Sequence, residues 1–171
     1  NLWDRSFLSD HFYPFFYLIS PFYFLKASPV WLFIVQSICI TLMAAPILKI
    51  SHQNFGKKGV WVAFIVLIAY YPFRRANFQD LHGEYLMAPV LAWIIYFIYQ
   101  SKDKYVFLLL ALLPFCKENC ASIIVMVGVY YLVIKRELKT GLVIVGLGGI
   151  ASLVILKIII PSFGIHEYSY G

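Results

Sequence analysis

The stretch VWLFIVQSICITLMAAPIL, residues 30–48, contains no charged side chain. At about 1.5 Å per residue, a helix of this length is close to the roughly 30 Å thickness of the hydrocarbon layer of a bilayer. A second long apolar stretch, residues 140–160, contains one lysine, Lys157. Both stretches predict helices that span a membrane.

The composition extends this prediction to the whole chain. Hydrophobic residues make up 62% of the 171 positions and charged residues 13%, whereas a soluble domain is nearer half apolar and a quarter charged. The sequence therefore predicts an all-α, polytopic transmembrane helical bundle of about six spans. The predicted spans are residues 30–48, 59–73, 85–99, 105–116, 119–134 and 140–160. We treat residues 1–171 as one transmembrane domain, with an extracytoplasmic or interfacial segment (1–29), the spans (30–160) and an extracytoplasmic tail (161–171).

The distribution of charge predicts the orientation of these spans. The net charge is +6, but the basic residues lie at the ends of apolar runs and form no single stripe, which argues against a nucleic-acid partner. Connections 49–58, 100–104 and 135–139 hold eight of the fourteen Lys and Arg residues. The positive-inside tendency places these connections in the cytoplasm. The opposite, extracytoplasmic side then carries six of the eight acidic residues.

The N-terminal region carries two further predictions. The chain begins with Asn1 and lacks the basic and apolar regions of a signal peptide, so we expect it to be a piece of a longer protein with a membrane segment upstream. Residues 11–26 contain eight aromatic residues and two prolines. Because aromatic residues concentrate at the headgroup level, this stretch predicts a helical segment lying on the outer leaflet.

The shortest predicted spans have charged residues at their outer ends. A helix from Lys104 to Lys117 covers only about 20 Å, so Lys117 and Glu118 are expected below the outer surface. The same argument applies to Arg74 and Arg75. Intramembrane charges are costly unless they are paired or face water, and they mark candidate functional sites. We therefore predict a polar pocket that opens outward, although a structural network of ion pairs would account for the same charges.

The segment RRANFQDLHGEY places Asp80, His82 and Glu84 two residues apart. In a loop or in a helix, this spacing allows the two carboxylates to converge. Such a pair can bind a divalent cation, Mg²⁺ or Mn²⁺, or one carboxylate can act as a general base for a hydroxyl nucleophile, with His82 as an alternative base or ligand. Ordinary loop charges remain the alternative.

The segment CKENC places Lys117 beside Glu118 at a predicted helix break after Pro114. Lys117 suits a phosphate and Glu118 a metal or a hydroxyl, or else both pair with neighbouring charges. The spacing lacks the partners of a zinc site. We therefore interpret the cysteines as small core residues: Cys39, Cys116 and Cys120.

The segment GLVIVGLGGIAS, residues 141–152, is rich in glycine but lies within an apolar run with no strand before it. This context favours close helix packing over a nucleotide-binding loop.

An ordered set of motifs carries a resemblance over nearly the whole chain: HFYPFFYLISPFY, LFIVQS, FQDLHGEYLMAPVLAW, PFCKENCASIIV and IIPSFG. These motifs resemble those of the prokaryotic membrane proteins grouped as domain of unknown function 2079 (DUF2079). That family looks related to the GT-C glycosyltransferases, multi-span enzymes that transfer a sugar from a polyprenyl-phosphate donor at the extracytoplasmic face.

The resemblance implies an integral protein of the prokaryotic plasma membrane whose partners are the bilayer and a polyprenyl-phosphate sugar. It also implies an active cavity, lined by residues that we assign as follows. The catalytic candidates are Asp10, Asp80, Glu84 and Glu118, with Asp80 and Glu84 also as metal ligands. The substrate-binding candidates are His11, His82 and Lys117, to which the span-length argument adds Arg74 and Arg75. GT-C enzymes carry an acidic residue in the first outer loop, for which Asp4 and Asp10 are the candidates.

Two rival functions remain open at this point. A transporter or permease would use intramembrane charges to line a pathway, whereas a non-catalytic scaffold would merely pair them. Few charged residues lie in the inner halves of the predicted spans, which favours the enzyme over the transporter.

Overall fold

A computed structural model describes residues 14–71, 75, 83–117 and 119–163. Within these ranges the chain is helical and contains no strand, which confirms the predicted all-α class. The helices are α1 (Phe16–Leu25), α2 (Val30–Ala69), α3 (Gly83–Tyr99), α4 (Asp103–Leu112), α5 (Cys120–Val133), α6 (Leu138–Val154) and α7 (Ile160–Phe163). A 3-10 turn (Leu113–Phe115) follows α4, and a π-helical turn (Ile155–Ile159) joins α6 to α7.

Each of the six predicted spans overlaps a helix, the first two both overlapping α2, but the number of spans is not confirmed. Within the described ranges, two helices are long and apolar enough to cross a bilayer, Val30–Ala69 and the continuous helix Leu138–Ser162. Apolar helices of 10–17 residues also occur, including Glu84–Tyr99 and Cys120–Val133. A perpendicular crossing requires about 20 residues, so length alone does not establish these shorter helices as spans.

The described residues form two compact units. The N-terminal unit comprises Phe16–Ala111, and the C-terminal unit comprises the described residues 14–15 and 112–163.

In the N-terminal unit, α2 consists of two arms that meet at Gly56. The backbone of Gly56 has φ 63° and ψ −155°, which ends one helix (residues 30–55) and begins the next (residues 57–69). A Cβ atom added at Gly59 would lie 2.8 Å from the carbonyl oxygen of Ser51. In a continuous helix these two positions would be about 12 Å apart along the axis. The second arm therefore folds back on the first, as the predicted connection 49–58 requires, although the helix persists further than predicted.

Helix α3 packs against the first arm of α2, and the two run in parallel. The indole nitrogen of Trp93 donates a hydrogen bond of 3.2 Å to the carbonyl oxygen of Leu42, and the hydroxyl of Tyr99 donates one of 3.0 Å to Oδ1 of Asn54. Residues further along α3 therefore contact residues further along α2, as in a parallel pair of helices. The parallel direction agrees with the prediction that the first and third spans cross the membrane in the same sense.

The connection after α3 is a tight helix cap. The backbone amide of Lys102 bonds to the carbonyl of Phe97 at 2.9 Å, and that of Ser101 bonds to Ile98 at 3.1 Å, while Ser101 adopts φ 53°. These are the two bonds of a Schellman motif. The rings of Phe97 and Tyr105 then stack with centroids 4.9 Å apart across the connection.

Helix α1 confirms that part of the aromatic N-terminal stretch is helical. The indole nitrogen of Trp31 donates a hydrogen bond of 3.0 Å to the carbonyl of Lys26, and its ring lies 5.4 Å from that of Phe22. Ile19 is buried, whereas Phe24 is 92% exposed. Exposed aromatic side chains suit a helix at a lipid headgroup layer, and that location remains a prediction.

In the C-terminal unit, α5 and α6 form a closely packed antiparallel hairpin. A Cβ atom added at Gly148 would lie 2.8 Å from Cγ2 of Val125, and one added at Gly128 would lie 2.7 Å from Cγ2 of Val145. Gly141 approaches Leu132 in the same way. The glycine-rich segment therefore serves close helix packing, as its apolar context predicted.

Candidate functional site

The candidate site in the C-terminal unit is built around Lys117. Helix α4 ends at Leu112, and the 3-10 turn that contains Pro114 follows it, so the predicted helix break is confirmed. The side chain of Lys117 is half-buried. Its carbonyl oxygen accepts a hydrogen bond of 3.1 Å from the amide of Cys120, where α5 begins. A cationic side chain is thus held at a break between two apolar helices, which suits an anionic ligand.

The two cysteines that flank this break have a structural role. Cys116 is 4% exposed and Cys120 is fully buried, and neither forms a disulfide. The Sγ atom of Cys116 lies 3.8 Å from the carbonyl oxygen of Leu112. Cys39 on α2 is also buried. The prediction that the cysteines are small core residues is therefore confirmed, and Lys117 stands between two of them.

A backbone contact ties the N-terminal motif to this break. The amide of Phe15 donates a hydrogen bond of 3.2 Å to the carbonyl oxygen of Phe115. Phe115 precedes Lys117 by two positions, and Phe15 follows His11 by four. The chain just after the DHF motif is therefore in contact with the chain just before CKEN. Asp10, His11 and Glu118 lie outside the described residues.

In the N-terminal unit, Arg75 and Glu84 are the described members of the predicted site. A guanidinium nitrogen of Arg75, Nη1, donates a hydrogen bond of 3.1 Å to the hydroxyl of Tyr71, and the guanidinium lies 5.8 Å from the centre of that ring. Both Arg75 and Glu84 are exposed, and Glu84 lies in the first turn of α3. A carboxylate there is stabilised by the helix dipole. Arg74, Asp80 and His82 lie outside the described residues.

Three of the nine predicted site residues are thus described: Arg75, Glu84 and Lys117. Arg75 and Glu84 belong to the N-terminal unit and Lys117 to the C-terminal unit, so their convergence in one recess remains a prediction. The same holds for the metal site, because one of its two carboxylates, Asp80, is not described. Across the described ranges, no group of three or more His, Cys, Asp or Glu residues is placed to hold a metal ion.

The sequence reasoning missed a polar cluster at the opposite end of the N-terminal unit. The ammonium group of Lys49 lies 4.7 Å from the ring centre of Trp93 and 5.5 Å from that of Tyr96. Nε2 of Gln100 donates a hydrogen bond of 2.6 Å to Oε1 of Gln53. The sequence feature that could have predicted this cluster is the aromatic pair Trp93 and Tyr96, three residues apart on α3, together with the basic residue Lys49 on α2. This cluster joins the connections 49–58 and 100–104, which were predicted to share the cytoplasmic side.

The cleft between the two arms of α2 was also missed. It has a volume of about 510 Å³ and is lined by apolar side chains, together with Ser51 and Lys58. The sequence feature that could have predicted this cleft is Gly56, which lies between two apolar runs that are flanked by lysines.

Comparison with known proteins assigns the chain to a family. No curated protein and no solved structure matches it. The model of the family described as "Predicted membrane protein (DUF2079)" matches residues 2–170, almost the whole chain. The helical architecture and the two candidate spans agree with that description. The chain therefore belongs to the DUF2079 family of predicted membrane proteins.

Proposed function

We propose that this protein is a GT-C-like membrane glycosyltransferase that transfers a sugar from a polyprenyl-phosphate donor to an acceptor at the extracytoplasmic face. The observation that carries the proposal is the half-buried Lys117 at the end of the shortest predicted span, residues 105–116. Helix α4 has ten residues, about 15 Å, and the 3-10 turn adds about 6 Å to this length. The helix and the turn together are therefore shorter than the roughly 30 Å thickness of a hydrocarbon layer.

The depth of Lys117 suits a donor whose phosphate lies at the interface and whose tail remains in lipid. An ammonium group in a region of low dielectric attracts a phosphate more strongly than it would in water. The backbone contact between Phe15 and Phe115 supports a contribution from Asp10 and His11 to the same region, because it joins the two motifs.

The proposed reaction is a displacement at the anomeric carbon. The acceptor hydroxyl oxygen forms a bond to that carbon while the bond to the phosphate oxygen breaks. One of the four candidate carboxylates, Asp10, Asp80, Glu84 or Glu118, accepts the hydroxyl proton. The polyprenyl phosphate leaves with the bonding electron pair, and Arg74, Arg75 and Lys117 neutralise its growing charge. His11 and His82 contact the substrate.

A divalent cation, Mg²⁺ or Mn²⁺, fits the chemistry of the carboxylates Asp80 and Glu84, because both metals prefer oxygen ligands. Such an ion would supply additional charge to stabilise the leaving phosphate. The basic residues already provide part of this stabilisation.

The test uses membranes that contain the full-length protein and a panel of labelled polyprenyl-phosphate sugars, with release of polyprenyl phosphate as the measured quantity. Glu84→Gln should lower the turnover about 100-fold or more if Glu84 is the base, and Lys117→Gln should do so by loss of electrostatic stabilisation. Asp103→Asn is the matched acidic control, since Asp103 also lies in the first turn of a helix. Lys102→Gln is the basic control.

Two results would count against the enzyme, and one would count only against Glu84 as its base. Absence of donor consumption across the panel, with the protein folded, would favour a transporter or a scaffold. Equal effects of Glu84→Gln and Asp103→Asn would remove Glu84 from the site. Substrate uptake into vesicles without any chemical change would establish transport.

A further inference from the structure

The cleft between the two arms of α2 has the form of a site for one lipid chain. It begins beside Gly56 and extends between Ile47 on the first arm and Leu67 on the second. From Lys58 to Leu67 the helix rises about 14 Å. Half of the hydrocarbon layer is about 15 Å thick, so the cleft is about as long as one leaflet is deep.

The two ends of the cleft differ in polarity. Apolar side chains line its deep part, including Ala63, Ile47 and Leu67, whereas Ser51 and Lys58 lie near the apex beside Gly56. Lys57 and Lys58 are both exposed. An apolar channel with a cation and a hydroxyl at its polar end is complementary to an anionic amphiphile.

The neighbouring basic residue does not fill this role. The ammonium group of Lys49 lies over the rings of Trp93 and Tyr96, at 4.7 and 5.5 Å from their centres. Lys58, in contrast, lines the cleft itself. The positive-inside tendency places this end of the protein in the cytoplasm, where the leaflet carries the anionic lipids.

We propose that this cleft binds an anionic phospholipid of the cytoplasmic leaflet. One acyl chain lies between the arms, against Ala63 and Leu67, and the phosphate accepts hydrogen bonds from Lys58 and Ser51. The volume of about 510 Å³ lies within the range of small-molecule sites, roughly 300–1,000 Å³. The proposal is independent of the glycosyltransferase assignment, because the apex of the cleft lies near the end of α3 that is opposite Glu84, the candidate catalytic residue described in this unit.

The test measures lipid retention by the full-length protein. The protein is reconstituted in nanodiscs of phosphatidylcholine with a minor fraction of phosphatidylglycerol, and the retained lipids are counted by native mass spectrometry. Wild-type protein should retain phosphatidylglycerol selectively. Lys58→Gln should weaken this retention about ten-fold or more, because a charge-assisted hydrogen bond to the phosphate is lost. Lys57→Gln removes the same charge from the adjacent position outside the cleft, so its effect should be clearly smaller.

A second pair of variants tests the apolar part of the cleft. Ala63→Trp fills the space between the arms and should abolish selective retention while Lys58 is intact. Ala69→Trp introduces the same side chain at an exposed position on the same arm that does not line the cleft, and should leave retention unchanged. A melting temperature for each variant establishes that it is folded.

The occupant is identified by a photocrosslinking residue at Val66, which lines the cleft. Crosslinking to phosphatidylglycerol supports the proposal. Crosslinking to another segment of the same polypeptide or to a second copy would overturn it, as would equal retention of phosphatidylcholine. Equal effects of Lys58→Gln and Lys57→Gln would also overturn it, by showing that only the surface charge matters.

Discussion

The backbone amide of Phe15 donates a hydrogen bond of 3.2 Å to the carbonyl oxygen of Phe115, so residues one hundred positions apart are in contact. This contact joins the end of the N-terminal motif to the turn before Lys117. It belongs to one compact unit, which also contains α5 and α6. Two of the motifs that carry the family resemblance therefore meet in the folded chain.

The contact predicts an engineered disulfide. A backbone hydrogen bond between two residues holds their Cα atoms within the roughly 7 Å that a disulfide allows. In a variant whose three cysteines are replaced by alanine, Phe15→Cys with Phe115→Cys should form an intramolecular disulfide on mild oxidation. Protection of both thiols from a maleimide, measured by intact mass, detects the bond.

The control pairs Phe15→Cys with Val133→Cys, which lies at the other end of α5. Fourteen residues of helix place that position about 20 Å further along the axis. Its two thiols should both react with the maleimide. Equal protection in the two pairs would mean that the disulfide reports chain mobility and that the motifs need not be adjacent.

Substitution by alanine should have opposite effects at two glycines of α6, Gly148 and Gly146. In Gly148→Ala the new Cβ atom would lie 2.8 Å from Cγ2 of Val125 and 2.9 Å from its backbone nitrogen. The two helices must then separate, and overpacking of this kind costs about 1–3 kcal/mol. In Gly146→Ala the new atom meets nothing within 4 Å. That variant should gain up to about 1 kcal/mol from helix propensity.

The measurement is the free energy of unfolding of the full-length protein, obtained by titration with a denaturing detergent. If both alanine variants shift it in the same direction and by similar amounts, α5 and α6 are not in close contact at Gly148.

The locations of the helices were largely predictable because long apolar runs without charge have few other structures in a membrane. The run 85–99 corresponds to α3 (Gly83–Tyr99), and the run 119–134 to α5 (Cys120–Val133). The polar stretch before Gly56 was less predictable, because its residues resemble a loop. It remains helical where Gln53 and Asn54 bond to Gln100 and Tyr99, partners more than forty positions away.

The packing role of the glycines was predictable, but the particular glycines were not. Gly141 and Gly148 are seven residues apart, two helical turns, and therefore share the face that packs on α5. Gly146 and Gly149 meet nothing within 4 Å. Composition cannot show which glycines face the partner helix, because that depends on how α5 packs against α6.

The candidate site was predictable only as a set of residue types. The sequence identified ionisable residues near the ends of short apolar runs, and Lys117 is half-buried at such an end. Whether Arg75, Glu84 and Lys117 share one recess depends on long-range packing, which local spacing does not encode.

The backbone of Gly56 predicts the sign of another substitution. Its angles, φ 63° and ψ −155°, lie in a region adopted almost only by glycine. Gly56→Ala should therefore destabilise the protein by about 1–3 kcal/mol. If residues 30–69 formed one continuous helix, the same change would instead stabilise it by about 1 kcal/mol. Gly149→Ala, at a helical position with open space around it, is the control and should be stabilising.

The cation–π contact between Lys49 and Trp93 predicts an energetic coupling between α2 and α3. The ammonium group lies 4.7 Å from the ring centre, and Lys49 is exposed, so the expected coupling is about 0.5–1 kcal/mol. A double-mutant cycle of Lys49→Met and Trp93→Leu measures this coupling energy. The hydrogen bond that Trp93 donates to Leu42 does not contribute to it, because that bond is lost both in the Trp93 single variant and in the double variant. The corresponding cycle with Lys57→Met should give a coupling near zero, since in the structure Trp93 lies beneath Lys49. Equal couplings in the two cycles would indicate a general charge effect at this end of the protein, and not a specific contact between Lys49 and Trp93.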